Sequence, residues 1–141
     1  MHLEGTVLVG PAFEPVEGSV VVADGEIVRI EERSVESDAV ILPAFVNAHT
    51  HIGDSIAKEA GEGLSLDELV APPDGLKHRL LRATAREEKV AAMARTLRYM
   101  ESTGTGTFLE FREGGVDGVA ALRDALGGEA AAFGERAIDP V

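Results

Sequence analysis

The chain has 141 residues and no cysteine, and its 25 acidic against 13 basic side chains give a formal net charge of −12. That length suits one ordinary domain, and the lack of cysteine removes disulfides, thiolate metal sites and cysteine nucleophiles together. The acidic balance argues against nucleic acid, whose phosphates are bound by Lys and Arg, and no run nears the roughly 18–20 apolar residues of a membrane span.

Residues 1–43 read as β structure. Thr6-Val7-Leu8-Val9 is a short β-branched run closed by Gly10-Pro11. Ser19 to Ala23 and Glu26 to Ile30 are two further runs separated by Asp24-Gly25, a strong hairpin pair. Val40-Ile41-Leu42 is a fourth, leading into Pro43. Four such strands are enough for part of a small β-sandwich and too few to close one.

From Ala44 to Val141 the pattern alternates β and α. Phe45 to Ala48 is apolar except for Asn47, as expected of a parallel strand covered on both faces. Gly53 to Gly63 reads as a long loop. Ser65-Leu66-Asp67-Glu68 is a capping box that opens a short helix, which Pro72-Pro73-Asp74-Gly75 interrupts. Thr84-Ala85-Arg86-Glu87 is read as a second capping box, followed by the apolar stripe Val90, Met93, Leu97 and Met100. Gly104 is placed just past the end of that helix. Thr105 to Phe111 is the next strand and Val116 to Leu126 the next helix, with Val119 and Leu122 on its apolar side and Gly127-Gly128 ending it. Glu129 to Gly134 is alanine-rich and unassigned, and Ala137 to Val141 reads as the start of a third strand. Strands separated by helices imply parallel crossovers.

The chemistry is concentrated in Leu42-Pro43-Ala44-Phe45-Val46-Asn47-Ala48-His49-Thr50-His51. Side chains alternate faces along a strand, so His49 and His51 project together while Thr50 points away. Neutral imidazole is the commonest protein metal ligand, and two at a rigid strand end make half of a typical site. Taken alone, the same pattern also suits two histidines that merely cap a buried strand.

The surroundings of the pair resemble the amidohydrolase superfamily, whose first barrel strand reads Pro-Gly-hydrophobic-hydrophobic-Asn-x-His-x-His. Pro43, Phe45, Val46, Asn47, His49 and His51 match, and Ala44 replaces the usual Gly, small for small. Val20 to Val28 is similar to the hairpin that precedes the motif in that family, and Gly104 to Leu109 to its second barrel strand. The resemblance implies an α/β fold. Residues 1–43 would be part of a composite β-sandwich, and residues 44–141 the first two to three units of a (β/α)₈ TIM barrel that needs roughly 250 residues in full. It also implies that the chain is the N-terminal part of a metal-dependent hydrolase acting on C–N bonds of a small molecule. Its divalent ion, most often zinc, would be held by His49 and His51. The family completes the site with histidines from later strands and an aspartate that shuttles the proton. None of these is matched in this chain, so two ligands alone should bind metal weakly.

Glu110, Arg112 and Glu113 close the second strand. Glu110 and Arg112 share a face, directed into the barrel if Phe108 also points inward. Arg112 then suits either a substrate-anion clamp or an ion pair with Glu110 or Glu113. Asp54 and Ser55 follow the histidines and either reach the site or, the favoured reading, serve as loop caps, and Lys58 and Glu59 are read as solvated charges. His2, in a frayed terminus, and His78 are read as surface groups. No Gly-rich stretch is followed by the Lys-Ser/Thr of a phosphate loop, and no Gly-x-Ser-x-Gly elbow offers a nucleophile.

No basic region followed by an apolar core opens the chain, so a cytoplasmic location is expected. The bases are ten Arg and only three Lys (Lys58, Lys77, Lys89). Strong acidity with scarce lysine fits work in high salt, where repulsion is screened. The rival expectation is a non-catalytic fragment or structural homologue that assembles with another polypeptide, since free strand edges invite pairing; the partners expected besides a small-molecule substrate are its own copies or the remainder of the barrel.

Overall fold

A computed structural model describes residues 1–127. The readings of Gly128, of the alanine-rich stretch and of a strand from Ala137 lie outside them. The chain divides at Ala44 into two compact units.

The first unit is one four-stranded sheet in the order β3-β2-β1-β4, built from β1 (His2–Val9), β2 (Glu14–Ala23), β3 (Glu26–Glu32) and β4 (Val40–Ile41). β1 and β2 run antiparallel from His2 opposite Val21 to Val9 opposite Glu14. β2 and β3 form the expected hairpin. Asp24 and Gly25 take φ of 51° and 81°, the paired left-handed conformation that matches the twist of the flanking strands. β4 joins parallel to β1 through Thr6–Val40 and Val7–Ile41. Val7, Val20 and Ser19 are buried, whereas Ile27 and Val28 of β3 are exposed. His2 is not frayed: it lies in β1, anchored where the Met1 ammonium donates to the Val22 carbonyl at 2.7 Å.

The second unit is a mixed α/β arrangement. β5 (Phe45–Thr50) and β6 (Thr105–Glu110) pair in parallel, and between them run a 3₁₀ segment (Ile52–Ala57), α1 (Leu66–Val70), α2 (Leu76–Ala83) and α3 (Arg86–Ser102). α4 (Gly115–Gly127) follows β6. The stripe on α3 is the centre of the core: Met93, Leu97 and Met100 pack with Ile52, Ala121, Leu122 and Ala125, with Val90 and Phe108 at the margin. Ser65 caps α1 in a full capping box with Glu68. Gly104, with φ of 88°, turns the chain out of α3, a left-handed conformation for which glycine is the natural choice.

Three expectations need correction. The second capping box does not form, because α3 starts one residue later than the box requires: Thr84 ends α2, its hydroxyl donating to the Leu80 carbonyl at 2.8 Å, and Ala85, which has no side-chain acceptor, takes the N-cap position of α3. The loop after β5 begins instead as 3₁₀ helix, for a reason that lies in the site. β5 is not covered on both faces among the described residues: Phe45 is 56% and Val46 67% exposed.

Candidate metal centre

Thr50 sets the geometry of the strand end. It is buried, and its hydroxyl lies 3.0 Å from the Leu109 carbonyl and 2.6 Å from the Glu110 carboxylate. With Thr50 turned inward against β6, alternation throws His49 and His51 to the opposite, exposed face. There the two rings converge, Nε2 to Nε2 at 3.2 Å. The Phe111 ring lies 4.7 Å from that of His49 and 5.8 Å from that of His51, an apolar flank to both. The Asn47 side-chain oxygen accepts from the His49 amide at 3.3 Å.

The convergence passes a simple test of fit. Two nitrogens bound to one zinc at about 2.0–2.1 Å with tetrahedral angles stand about 3.3 Å apart. The same spacing serves a hydrogen bond between two neutral imidazoles, one donating and one accepting, so the two rings stand at the separation that a shared ion requires.

Glu110 explains the 3₁₀ segment. Its carboxylate accepts from the Ile52 amide at 2.8 Å and the Gly53 amide at 3.2 Å as well as from Thr50, and its side chain is only 6% exposed. A carboxylate at the free amides of a helical turn satisfies donors that would otherwise be unpaired. Arg112 lies across the same turn, 3.7 Å from Glu110 and 3.3 Å from Glu113. A Cβ on residue 53 would stand 1.3 Å from the Arg112 guanidinium, so a larger residue there would displace that side chain from the turn. The condition on which Glu110 would face a barrel interior is not met. Phe108 packs on the helical core and Glu110 follows it, while Leu109 and Phe111 take the exposed side. Of the two readings of Arg112, the ion pair is the one this geometry displays.

A charged cluster continues behind His51. Lys77, from the first turn of α2, sets its ammonium 2.9 Å from Asp54 and against Glu113. Burial works against the Lys77 charge, but hydrogen bonds to Glu113 and Asp54 and their negative charge outweigh it and hold its pKa above the usual lysine range. Burial likewise pushes the Glu113 carboxyl up, and the hydrogen bond from Lys77, the local backbone and the charges of Lys77 and Arg112 pull it net below the carboxylate range. Glu113 in turn stands 3.8 Å from His51 Nδ1. Ligand atoms of His51, Asp54 and Glu113 all lie within 4.8 Å of one another, a possible cation site in which the Lys77 ammonium already supplies positive charge.

The sequence points to His49 and His51 and to Glu113 as a partner of Arg112, but not to Lys77, to Phe111 or to the approach of Glu113 to His51. The remaining candidates lie elsewhere. His78 Nε2 is 3.0 Å from the Val70 carbonyl, Ser55 bonds Thr96 at 2.8 Å, and the Lys58 ammonium sits 5.7 Å from the centre of the Tyr99 ring.

The family description "Amidohydrolase family" matches residues 40–138, a span that contains both histidines and the whole charged cluster. The chain belongs to the amidohydrolase family. A protein of Methanothermobacter thermautotrophicus named "Putative aminohydrolase" is 42% identical over 130 residues, 87% of this chain and 34% of that relative. An uncharacterized protein of Methanocaldococcus jannaschii is 36% identical over 129 residues, 88% of this chain and 34% of its own length. A second "Putative aminohydrolase", from Archaeoglobus fulgidus, is 39% identical over 99 residues, 70% of this chain and 29% of that relative. This amidohydrolase chain therefore spans about a third of the length of the curated relatives it matches. No solved structure gives a significant match.

Proposed function

We propose that this chain forms the opening of a (β/α)₈ barrel in a metal-dependent hydrolase that cleaves C–N bonds of small molecules, with aminated or amidine-containing rings as the substrate class. In this reading the first unit is part of a composite β-sandwich, and His49 and His51 hold a divalent ion, zinc by preference. The observation that carries it is the 3.2 Å approach of the two Nε2 atoms at the end of a parallel strand, where β/α barrels place their catalytic groups. Two relatives named as aminohydrolases support the bond type. When bound, zinc lowers the pKa of its water to about 7 and polarises the carbon under attack.

The chain's own residues hold and orient. Thr50 and Glu110 fasten the strand end so that both imidazoles keep their aim, and Phe111 shields one side of them from water. The remaining ligands and the proton-shuttling aspartate implied by the family are not matched here, so catalysis belongs to the whole barrel. No helix among the described residues is long and apolar enough to cross a membrane.

A second reading has its own observation: Phe45, Val46 and Leu109 leave an exposed apolar surface on the β5–β6 pair. On that reading the chain is a non-catalytic component that assembles with another polypeptide or with its own copies.

Equilibrium dialysis against zinc tests the first reading. One saturable, weak site per chain is expected, lost in His49→Ala and in His51→Ala. No saturable binding, or binding indifferent to both substitutions, overturns it, and a folded, metal-free, associated chain in sedimentation favours the second.

A further inference from the structure

We infer that Glu113 is a positioning residue for His51, fixing through its carboxylate which ring nitrogen of His51 carries the proton and which faces the ion. The inference rests on the reading of the histidine pair as metal ligands. His51 has two distinct edges in this structure: Nε2 meets His49 at 3.2 Å and Nδ1 faces Glu113 at 3.8 Å. The second distance exceeds a direct hydrogen bond, and the oxygen that faces His51 is Oε1, the one Lys77 bonds, so closing it asks the His51 ring to move toward a carboxylate that stays put. A histidine that binds metal through one nitrogen carries its proton on the other, and a carboxylate on that N–H fixes the ring and raises its basicity.

Glu113 is itself held for the task. Lys77 bonds one of its oxygens and Arg112 lies 3.3 Å from the other, while Asp54 braces Lys77 at 2.9 Å. The backbone around it is equally constrained. Gly114 and Gly115 have φ of 88° and 55°, and a Cβ on Gly118 would stand 2.0 Å from the Glu113 carbonyl oxygen. The turn from β6 into α4 is thus built so that this carboxylate arrives behind His51.

A consequence follows for the metal-free chain. With the His51 proton on Nδ1, its Nε2 can only accept, so the short contact between the rings makes His49 the Nε2–H donor. The two histidines are then opposite tautomers, and His49 must move its proton to Nδ1 when an ion replaces the hydrogen bond.

Long-range proton–nitrogen correlation spectra of the ¹⁵N-histidine-labelled chain, taken without metal at alkaline pH, read the tautomers directly. The expected result is Nδ1–H at His51 and Nε2–H at His49, and an Nε2–H tautomer at His51 overturns the inference without any substitution. Zinc titration gives a second reading: Glu113→Ala is expected to weaken binding about 10–100-fold, and Glu113→Asp to recover part of the loss. Wild-type chain that binds zinc with an affinity Glu113→Ala leaves unchanged overturns this inference alone. Wild-type chain that binds none overturns the metal reading, and the spectra still decide the orientation of the ring.

Discussion

Lys77 carries its charge in a largely buried place, 14% exposed between two carboxylates, and its pKa is raised because those partners outweigh the cost of burial. A lysine raised on folding stabilises the native state fully below its unfolded value, 10.5. That contribution is lost as pH rises through the folded value. The urea midpoint of the wild-type chain should therefore fall above about pH 10.5, and Lys77→Met should flatten that fall. At pH 7 the same substitution should cost about 1–3 kcal/mol, since Asp54 and Glu113 lose a hydrogen-bonded cation in a part-buried site; an unchanged midpoint at pH 7 would show that the triad contributes nothing. The sequence made His49 and His51 legible because their spacing is local and strand alternation is a strict rule. Lys77 and Glu113 carry no such signal. They meet only because α2 and the end of β6 converge on the segment after β5, which is a property of the assembled unit.

Among the elements, α3 was the most legible and behaves as its stripe predicts. Leu97 is fully buried among Met93, Met100, Ile52 and Leu122, so Leu97→Ala should destabilise the second unit by about 2–5 kcal/mol, read as a lower urea midpoint. A loss below 1 kcal/mol would mean that the helix is not the centre of the core. The ends of elements were less legible, and each miss has a physical cause. Thr84 could cap the helix after it or close the helix before it, and the backbone makes it the C-cap of α2, with Ala85 at the N-cap of α3. The 3₁₀ segment from Ile52 contains no local cap, because its acceptor is Glu110 on the neighbouring strand. The exposure of β5 was hidden by its composition, since apolar residues announce burial without naming what buries them.

For the molecule as a whole, charge is the dominant global property. A net charge of −12 on 141 residues destabilises the compact state through self-repulsion, and salt screens it with a Debye length of about 10 Å at 0.1 M and 3 Å at 1 M. The melting temperature should therefore rise between low and molar salt, and about 1 kcal/mol of relieved repulsion corresponds to about 2–4 °C in a chain of about 150 residues. A flat or falling curve would detach the acidity from any adaptation to brine. The broad α/β organisation, with parallel strands joined through helices, was readable from periodicity and turn residues, whereas the side-chain coupling between the ends of β5 and β6 was not. That coupling runs through Glu110, which grips three donors in the segment carrying the histidines while touching neither ring. On the metal reading proposed above, the two strand termini would be the stiff support of the ligand pair. Retuning the pair for a larger or softer ion would then mean loosening Glu110 first, because Glu110 rather than either imidazole fastens the segment that carries them.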